Sequence, residues 1–293
     1  MAPRMFTLSR PVALLFAFAL CVCSGCASTA SHGSFTVKPD VVYAHHDDGD
    51  LHADIYVPAG HGPFPAVVTI HGGSWRTGWR WEMASIARQL AARDMVVMNI
   101  AYRLAPAHHW PDQYNDAQDA VRFLRSNATQ YHIDTAHIGA WGYSAGAQLA
   151  LLLASPDAVE REPSSRVQVV VGGGSPADLR MFGENALVSR YLNGTPSELP
   201  DAYRAASPVT HVAMNSPPTF LYHGRDDWIV DIAQAREFAA ALRAKGTAVE
   251  LVELPRGHLS AYFFADGDTS ARAIAFLNRY LRPTTTAGSG GSQ

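Results

Sequence analysis

Short apolar runs alternate along the chain with longer stretches of helical period. Ala66-Val67-Val68-Thr69-Ile70 and Met95-Val96-Val97-Met98-Asn99-Ile100 are nearly continuous in apolar residues, as strands covered on both faces are. Further strands are predicted over His137–Trp141, Val167–Val171, Pro218–Tyr222 and Val249–Leu254, the last with polar and apolar residues in alternation. Phe35–Tyr43 and Ala53–Pro58 predict an opening antiparallel pair. Helices are predicted over Trp81–Arg93, Tyr114–Asn127, Gln148–Ala154, Ile232–Ala244 and Ala271–Leu281. In the second, Tyr114, Ala117, Val121 and Leu124 fall on one face, and Lys245-Gly246 stops the fourth. Strands that alternate with helices imply an α/β fold with a mostly parallel, doubly covered sheet of about eight strands. Residues 175–214 interrupt the alternation. Their short apolar clusters, Leu179 to Phe182 and Leu187 to Leu192 among them, predict a small helical cap between the sixth and seventh strands.

Composition narrows this to one folded domain over residues 35–282. The chain has 293 residues, 47% of them hydrophobic, and a formal charge of −3. That length suffices for a large core, and the small charge shows no basic stripe for nucleic acid. Thirteen histidines raise the question of a metal. The denser groups, His45-His46-Asp47-Asp48 and His108-His109, lack paired ligand spacing and read as solvated turns, so no metal or other cofactor is expected. Residues 283–293 carry no apolar anchor and predict a disordered tail.

The amino terminus has its own pattern. Arg4 and Arg10 precede an apolar run from Pro11 to Val22, too short for a stable membrane span, and small residues follow. This predicts a signal peptide over residues 1–25 and a tether over 26–34. The end, Ser24-Gly25-Cys26, resembles a bacterial lipobox, although Cys23 stands where leucine is usual. The resemblance implies export and a lipid anchor on Cys26. Ala27, in place of aspartate, implies the outer membrane. All three cysteines lie in this leader, which leaves the domain without a disulfide. The alternative is ordinary cleavage after Ala27 or Ala30, giving a soluble periplasmic or secreted protein.

Chemistry concentrates at strand ends. Gly142-Tyr143-Ser144-Ala145-Gly146 reads Gly-x-Ser-x-Gly between a predicted strand and a predicted helix, a context that thrusts a serine hydroxyl out of a sharp turn. A serine needs a base to take its proton and an acid to orient that base. Asp226 and Asp227 follow the strand that ends at Tyr222, and His258 follows the strand that ends at Leu254. Parallel-sheet enzymes carry their chemistry at such carboxyl ends. His71-Gly72-Gly73-Ser74 leaves the end of another strand and offers backbone N–H donors for a developing oxyanion.

Ala101-Tyr102-Arg103-Leu104-Ala105-Pro106, Trp110-Pro111, Asp116, Ile138-Gly139 and the Ser144 turn together resemble α/β-hydrolase esterases. The likeness is to the hormone-sensitive-lipase-like and bacterial feruloyl/acetyl-esterase-like groups, with kynurenine formamidase nearby. It runs from about Val42 to about Leu281 and implies an α/β-hydrolase fold. The family pattern His-Gly-x-x-Asp-x-x-Val matches His223, Gly224, Asp227 and Val230, which makes Asp227 the triad acid and Asp226 the runner-up. Gly257-His258 matches the family's Gly-His. The resemblance implies that the N–H groups of Gly73, Ser74 and Ala145 form the oxyanion hole. Ser74 departs from the third glycine of many lipase-like members. Arg103 and Asp116 read as structural, Arg103 as a partner for an acid near the nucleophile. Trp75, Trp79 and Trp81 read either as an aromatic wall of the site or as core. The implied activity is hydrolysis of carboxylic esters, short-chain or acetyl/feruloyl in type. Three alternatives remain: a serine peptidase of prolyl-oligopeptidase type, an arylformamidase, and a non-catalytic surface lipoprotein. Motifs leave the acyl and alcohol groups and the oligomeric state open.

Overall fold

Eight strands form one sheet in the order β1-β2-β4-β3-β5-β6-β7-β8. They are β1 (Phe35–His46), β2 (Gly49–Pro58), β3 (Phe64–Ile70), β4 (Val96–Ile100), β5 (Ile133–Tyr143), β6 (Val169–Gly173), β7 (Thr219–Gly224) and β8 (Val249–Leu254). The computed structural model describes residues 33–155, 165–263 and 267–282. Contacts divide the chain into Met1–Ser31 and His32–Gln293, and every described residue belongs to the second unit. The expected leader with Cys26, the tether up to residue 32 and the tail 283–293 lie outside the described residues. Gly33 and Ser34 are already tied to the domain: Gly33 N–H donates to the Ala92 carbonyl, and Ser34 accepts from Ala59 N–H.

β1 and β2 pair antiparallel, β2 runs antiparallel to β4, and β3 to β8 are mutually parallel. The apolar runs have a simple cause. Ala66, Val68 and Ile70 of β3 face one core, with Val96, Met98 and Ile100 of β4. Val67 and Val97 face the other. Side chains alternate across a strand, so burial on both faces demands an unbroken apolar run. β8 is an edge strand, and only Val252 and Leu254 of it are fully buried, which leaves room for Glu250 and Glu253 in its sequence.

Nine α-helices flank the sheet: α1 (Ala84–Ala91), α2 (Asp112–Ser126), α3 (Ala128–Tyr131), α4 (Ala145–Leu153), α5 (Ala186–Leu192), α6 (Pro200–Ala205), α7 (Ala233–Ala244), α8 (His258–Phe263) and α9 (Gly267–Leu281), all among the described residues. Tyr114, Leu149 and Phe238 place α2, α4 and α7 on one face. Leu90 and Ile274 place α1 and α9 on the other. All nine residues of α4 are buried, so it forms the central helix behind the nucleophile turn. The helix expected over Trp81–Arg93 begins as a 3-10 turn, Arg80–Met83, before α1.

Between β6 and β7 the cap consists of α5, α6 and two 3-10 turns, Leu179–Phe182 and Pro208–His211. Leu179, Val188, Tyr191 and Tyr203 form a small core against Trp75 and Ala145. The Trp75 ring stacks on Tyr191 at 4.2 Å and 3°. Most apolar cap residues therefore pack the cap onto the sheet. The three tryptophans do not act alike. Trp75 is core, whereas Trp79 and Trp81 are 60% and 64% exposed and stack on each other at 6.5 Å.

Arg103 is structural, but the acid it pairs is Asp116 itself. Its Nη2 donates to Oδ1 at 2.6 Å, and its backbone N–H donates to Oδ2 at 2.8 Å. His45, Asp47 and Asp48 are exposed at the β1–β2 turn, as expected, but the histidine groups also make ion pairs. His108 reaches Asp48 at 2.7 Å, and His46, Asp116 and Asp119 offer ligand atoms within 4.8 Å of one another. The sequence separates these residues too widely for a spacing rule to group them. Arg103 already holds both Asp116 oxygens, which balances the charge that a cation would otherwise find there.

Candidate active site

Ser144 sits between the end of β5 and the first residue of α4 with φ +52° and ψ −121°, a region costly for any side chain. Its neighbours explain the two glycines. A Cβ on Gly142 would stand 2.0 Å from the Gly146 carbonyl oxygen, and one on Gly146 would stand 2.3 Å from that of Ile70. Any larger residue would force the strand and helix apart. Ser144 N–H donates to the Gly173 carbonyl at 2.7 Å, which locks the turn against β6.

Three loops meet here. Ser144 Oγ lies 2.9 Å from His258 Nε2, and His258 Nδ1 lies 2.6 Å from Asp227 Oδ2. The partners assign the tautomer: Nδ1–H donates to the carboxylate, and Nε2 accepts from the hydroxyl. Asp227 Oδ1 accepts from the backbone of Ile229 at 3.0 Å and of Val230 at 2.8 Å. The fourth donor is the histidine of the His-Gly-x-x-Asp-x-x-Val match, to which the match gave no role. His223, fully buried, points Nε2–H between the Val230 carbonyl at 2.8 Å and Asp227 Oδ2 at 3.2 Å. Burial pushes the Asp227 carboxyl up, but these donors and His258 outweigh it and hold its pKa well below the usual carboxylate range. Asp226, the runner-up, is exposed, and its backbone N–H donates to the Arg256 carbonyl. Tyr143 Oη donates to the His258 carbonyl at 2.6 Å and fixes the start of α8.

The loop after β3 has three successive left-handed residues: Gly73 (φ +107°), Ser74 (+54°) and Trp75 (+58°). The Gly73 carbonyl accepts from Arg76 and Thr77 N–H, which turns it into its own loop. Ser74 adopts without a glycine the conformation that glycine takes freely. Gly73 and Ser74 line a cavity beside Ser144, and Ala145 and Ser74 line its neighbour. Tyr102 braces this loop from below. Its ring stacks on His71 at 4.4 Å, and its hydroxyl donates to the His71 and Gly72 carbonyls at 3.1 and 3.3 Å. Gln148 accepts from Trp75 Nε1–H at 3.0 Å and donates to the Ala206 carbonyl at 2.7 Å, tying loop to cap. Tyr102 stands in the Ala101–Pro106 match, which gave it no role, and no motif singled out Gln148, whose only signal was its position just after the nucleophile turn.

His71 is buried, and burial lowers its pKa to about 4. Unfolded histidine titrates near 6.5. Between these values the unfolded chain takes up a proton that the folded chain refuses, so stability falls on acidification from about pH 6.5 to about 4. From pH 7 to pH 5 the loss from this group is about 2 kcal/mol. Urea unfolding at the two pH values is expected to show a smaller loss in His71→Asn than in the wild type. Equal losses would contradict it.

Two cavities adjoin Ser144 and share Ser74 and Ile229 in their walls. The larger, about 310 Å³, is lined by Trp75, Ala145, Phe182, Val188, Trp228 and their neighbours. The smaller, about 200 Å³, contains Glu82, Tyr143, His258 and Leu259.

A parallel sheet with a serine on the strand–helix turn and a His–Asp pair on the following strand-end loops defines an α/β-hydrolase. The chain belongs to the BD-FAE family, whose model matches residues 53–242. The likeness drawn from the motifs thus holds at the level of fold and family. Esterase LipC of Mycobacterium tuberculosis is 32% identical over 75% of this chain. The chain spans only 59% of LipC's length. Among solved structures, Thermogutta terrifontis esterase 2 phosphoramylated by tabun is 29% identical with a TM-score of 0.72, over 85% of this chain and 96% of that one. The bifunctional GH43-CE of Bacteroides eggerthii is 27% identical with a TM-score of 0.75, over 84% of this chain and 38% of that one.

Proposed function

We propose that the chain hydrolyses carboxylic esters, short-chain or acetyl/feruloyl in type, through an acyl-enzyme on Ser144. The observation that carries this reading is the continuous relay of Ser144 Oγ, His258 and Asp227, at 2.9 and 2.6 Å. Family membership and the esterase names of the relatives support it, as does the phosphoramylation of the Thermogutta esterase by tabun.

Ser144 Oγ attacks the ester carbonyl while His258 Nε2 takes its proton. Asp227 orients the ring and stabilises the imidazolium. The N–H groups of Gly73, Ser74 and Ala145 receive the oxyanion, and the helix dipole of α4 adds a favourable field at Ala145. Collapse of the intermediate releases the alcohol, which leaves with the proton from His258. Water then attacks the acyl carbonyl, His258 takes its proton, and the acid departs as Ser144 regains its hydrogen. No cofactor enters these steps. The mostly apolar larger cavity suits the acyl group. The test is turnover of p-nitrophenyl esters together with labelling by a fluorophosphonate that maps to Ser144. A pure protein that neither turns over nor labels would refute the reading.

The leader supports export and a lipid anchor on Cys26, with the hydrolase domain outside the cytoplasm. Acylation contributes about 0.8 kcal/mol per buried methylene. Mass spectrometry of the mature amino terminus is expected to find an acylated Cys26, and an unmodified start beyond it would rule the anchor out.

A further inference from the structure

Exposure rises along the wall of the larger cavity. Trp75, Ala145 and Val188 are buried and form its floor beside Ser144, whereas Leu187 and Trp228 line it at 36% and 84% exposure, where it meets solvent. Every residue that lines it is uncharged. His258, which hands its proton to the departing alcohol, lines the smaller cavity and not this one. The acyl half of an ester therefore falls to the larger cavity, and a neutral, apolar acyl group matches its wall. The volume, about 310 Å³, is generous for acetyl. A methyl group, close in size to a water at ~30 Å³, fills about a tenth of it.

The two rim residues sit on fixed backbone. Trp228 follows Asp227, whose Oδ1 accepts from the Ile229 and Val230 N–H groups at 3.0 and 2.8 Å. The triad acid thus clamps the chain just beyond the indole. On the cap, Leu187 N–H donates to Asn185 Oδ1 at 2.9 Å. A ligand that covers residues on fixed backbone gains apolar burial at a small cost in ordering. We infer that Trp228 determines acyl specificity: with Leu187 it covers the outer part of a neutral, unbranched acyl group several carbons long, which the site takes in preference to acetyl. This rests on the esterase reading above.

The test is kcat/KM for the p-nitrophenyl esters of acetate, butyrate and hexanoate, each kept below the concentration at which it aggregates. A covered methylene is worth up to roughly fourfold. The wild-type value is expected to rise about tenfold from acetate to hexanoate. Trp228→Ala is expected to lower the hexanoate-to-acetate ratio about fourfold and the butyrate-to-acetate ratio less, and Trp228→Phe to restore most of the loss. A disturbance of the neighbouring Asp227 would slow all three esters alike, so the ratios read the indole and not the relay. A flat or falling wild-type series, or ratios unmoved by Trp228→Ala, overturns the inference. If that variant does not fold, Leu187→Ala is expected to lower the hexanoate-to-acetate ratio about twofold, and an unmoved ratio overturns the inference instead. Absence of wild-type turnover of all three esters overturns the esterase reading itself, a result distinct from turnover with a flat series.

Discussion

Replacing Ser144 with Ala is expected to lower kcat for p-nitrophenyl acetate by at least about 10⁴-fold while the protein remains folded. The hydroxyl is the group within 2.9 Å of the His258 Nε2 lone pair, and a methyl group can neither donate to it nor attack a carbonyl. The residual rate over water comes from the oxyanion donors and substrate binding, which the substitution leaves in place. A second substitution at the same position separates chemistry from strain. Ser144 has φ +52°, where a Cβ is disfavoured and glycine is free. Ser144→Gly is therefore expected to be as inactive as Ser144→Ala but about 1 kcal/mol more stable, the lower end of the cost of such a conformation. For a domain of this size that is about 2–4 °C in Tm. Calorimetry of the two variants reads the difference directly. Substantial turnover by pure Ser144→Ala would refute the nucleophile. A glycine variant that melts no higher would refute stored strain at the turn.

The parts of the fold that the sequence announced are those where one physical demand acts along the chain. β3 and β4 read as strands because both of their faces are buried, which leaves no place for a polar residue. The Ser144 turn was legible because two glycines are sterically required there and a strand and helix must flank them. Gln148 was not legible, and the matches that contain Tyr102 and His223 gave neither a role. Gln148 and Tyr102 act through partners distant in the chain, and no periodicity encodes such a pairing. Trp79 and Trp81 show the same limit. Their spacing from Trp75 suggested a common fate, yet a stacking partner 116 positions away, Tyr191, draws Trp75 alone into the core. At the histidine-rich hairpin tip His45, Asp47 and Asp48 are exposed, as expected of a solvated turn, but the pairing of Asp48 with His108 exists only in space.

The acid at the end of the relay shows what geometry adds to a motif, and it carries the second large effect. Asp226 and Asp227 are adjacent, and only the family register favoured the latter. Asp227 Oδ1 accepts two backbone N–H groups, and Oδ2 accepts from His258 and His223. Asp227→Asn keeps one oxygen for the backbone donors but turns an N–H₂ group towards His258 Nδ1. That ring must then present a lone pair at Nδ1 and carry its proton on Nε2, where it can no longer accept from Ser144. In a Ser–His–Asp triad this tautomer reversal costs about 10⁴-fold in kcat. The same fall is expected here, with little change in KM, because no substrate contact is lost. Asp226→Asn, on an exposed side chain, is expected to stay within about twofold of the wild type. The two variants differ by one position and the same chemical change, so steady-state kinetics on the pair isolates the role of the buried carboxylate. Equal activities would show that His258 does not depend on Asp227, and the relay would lose its third member.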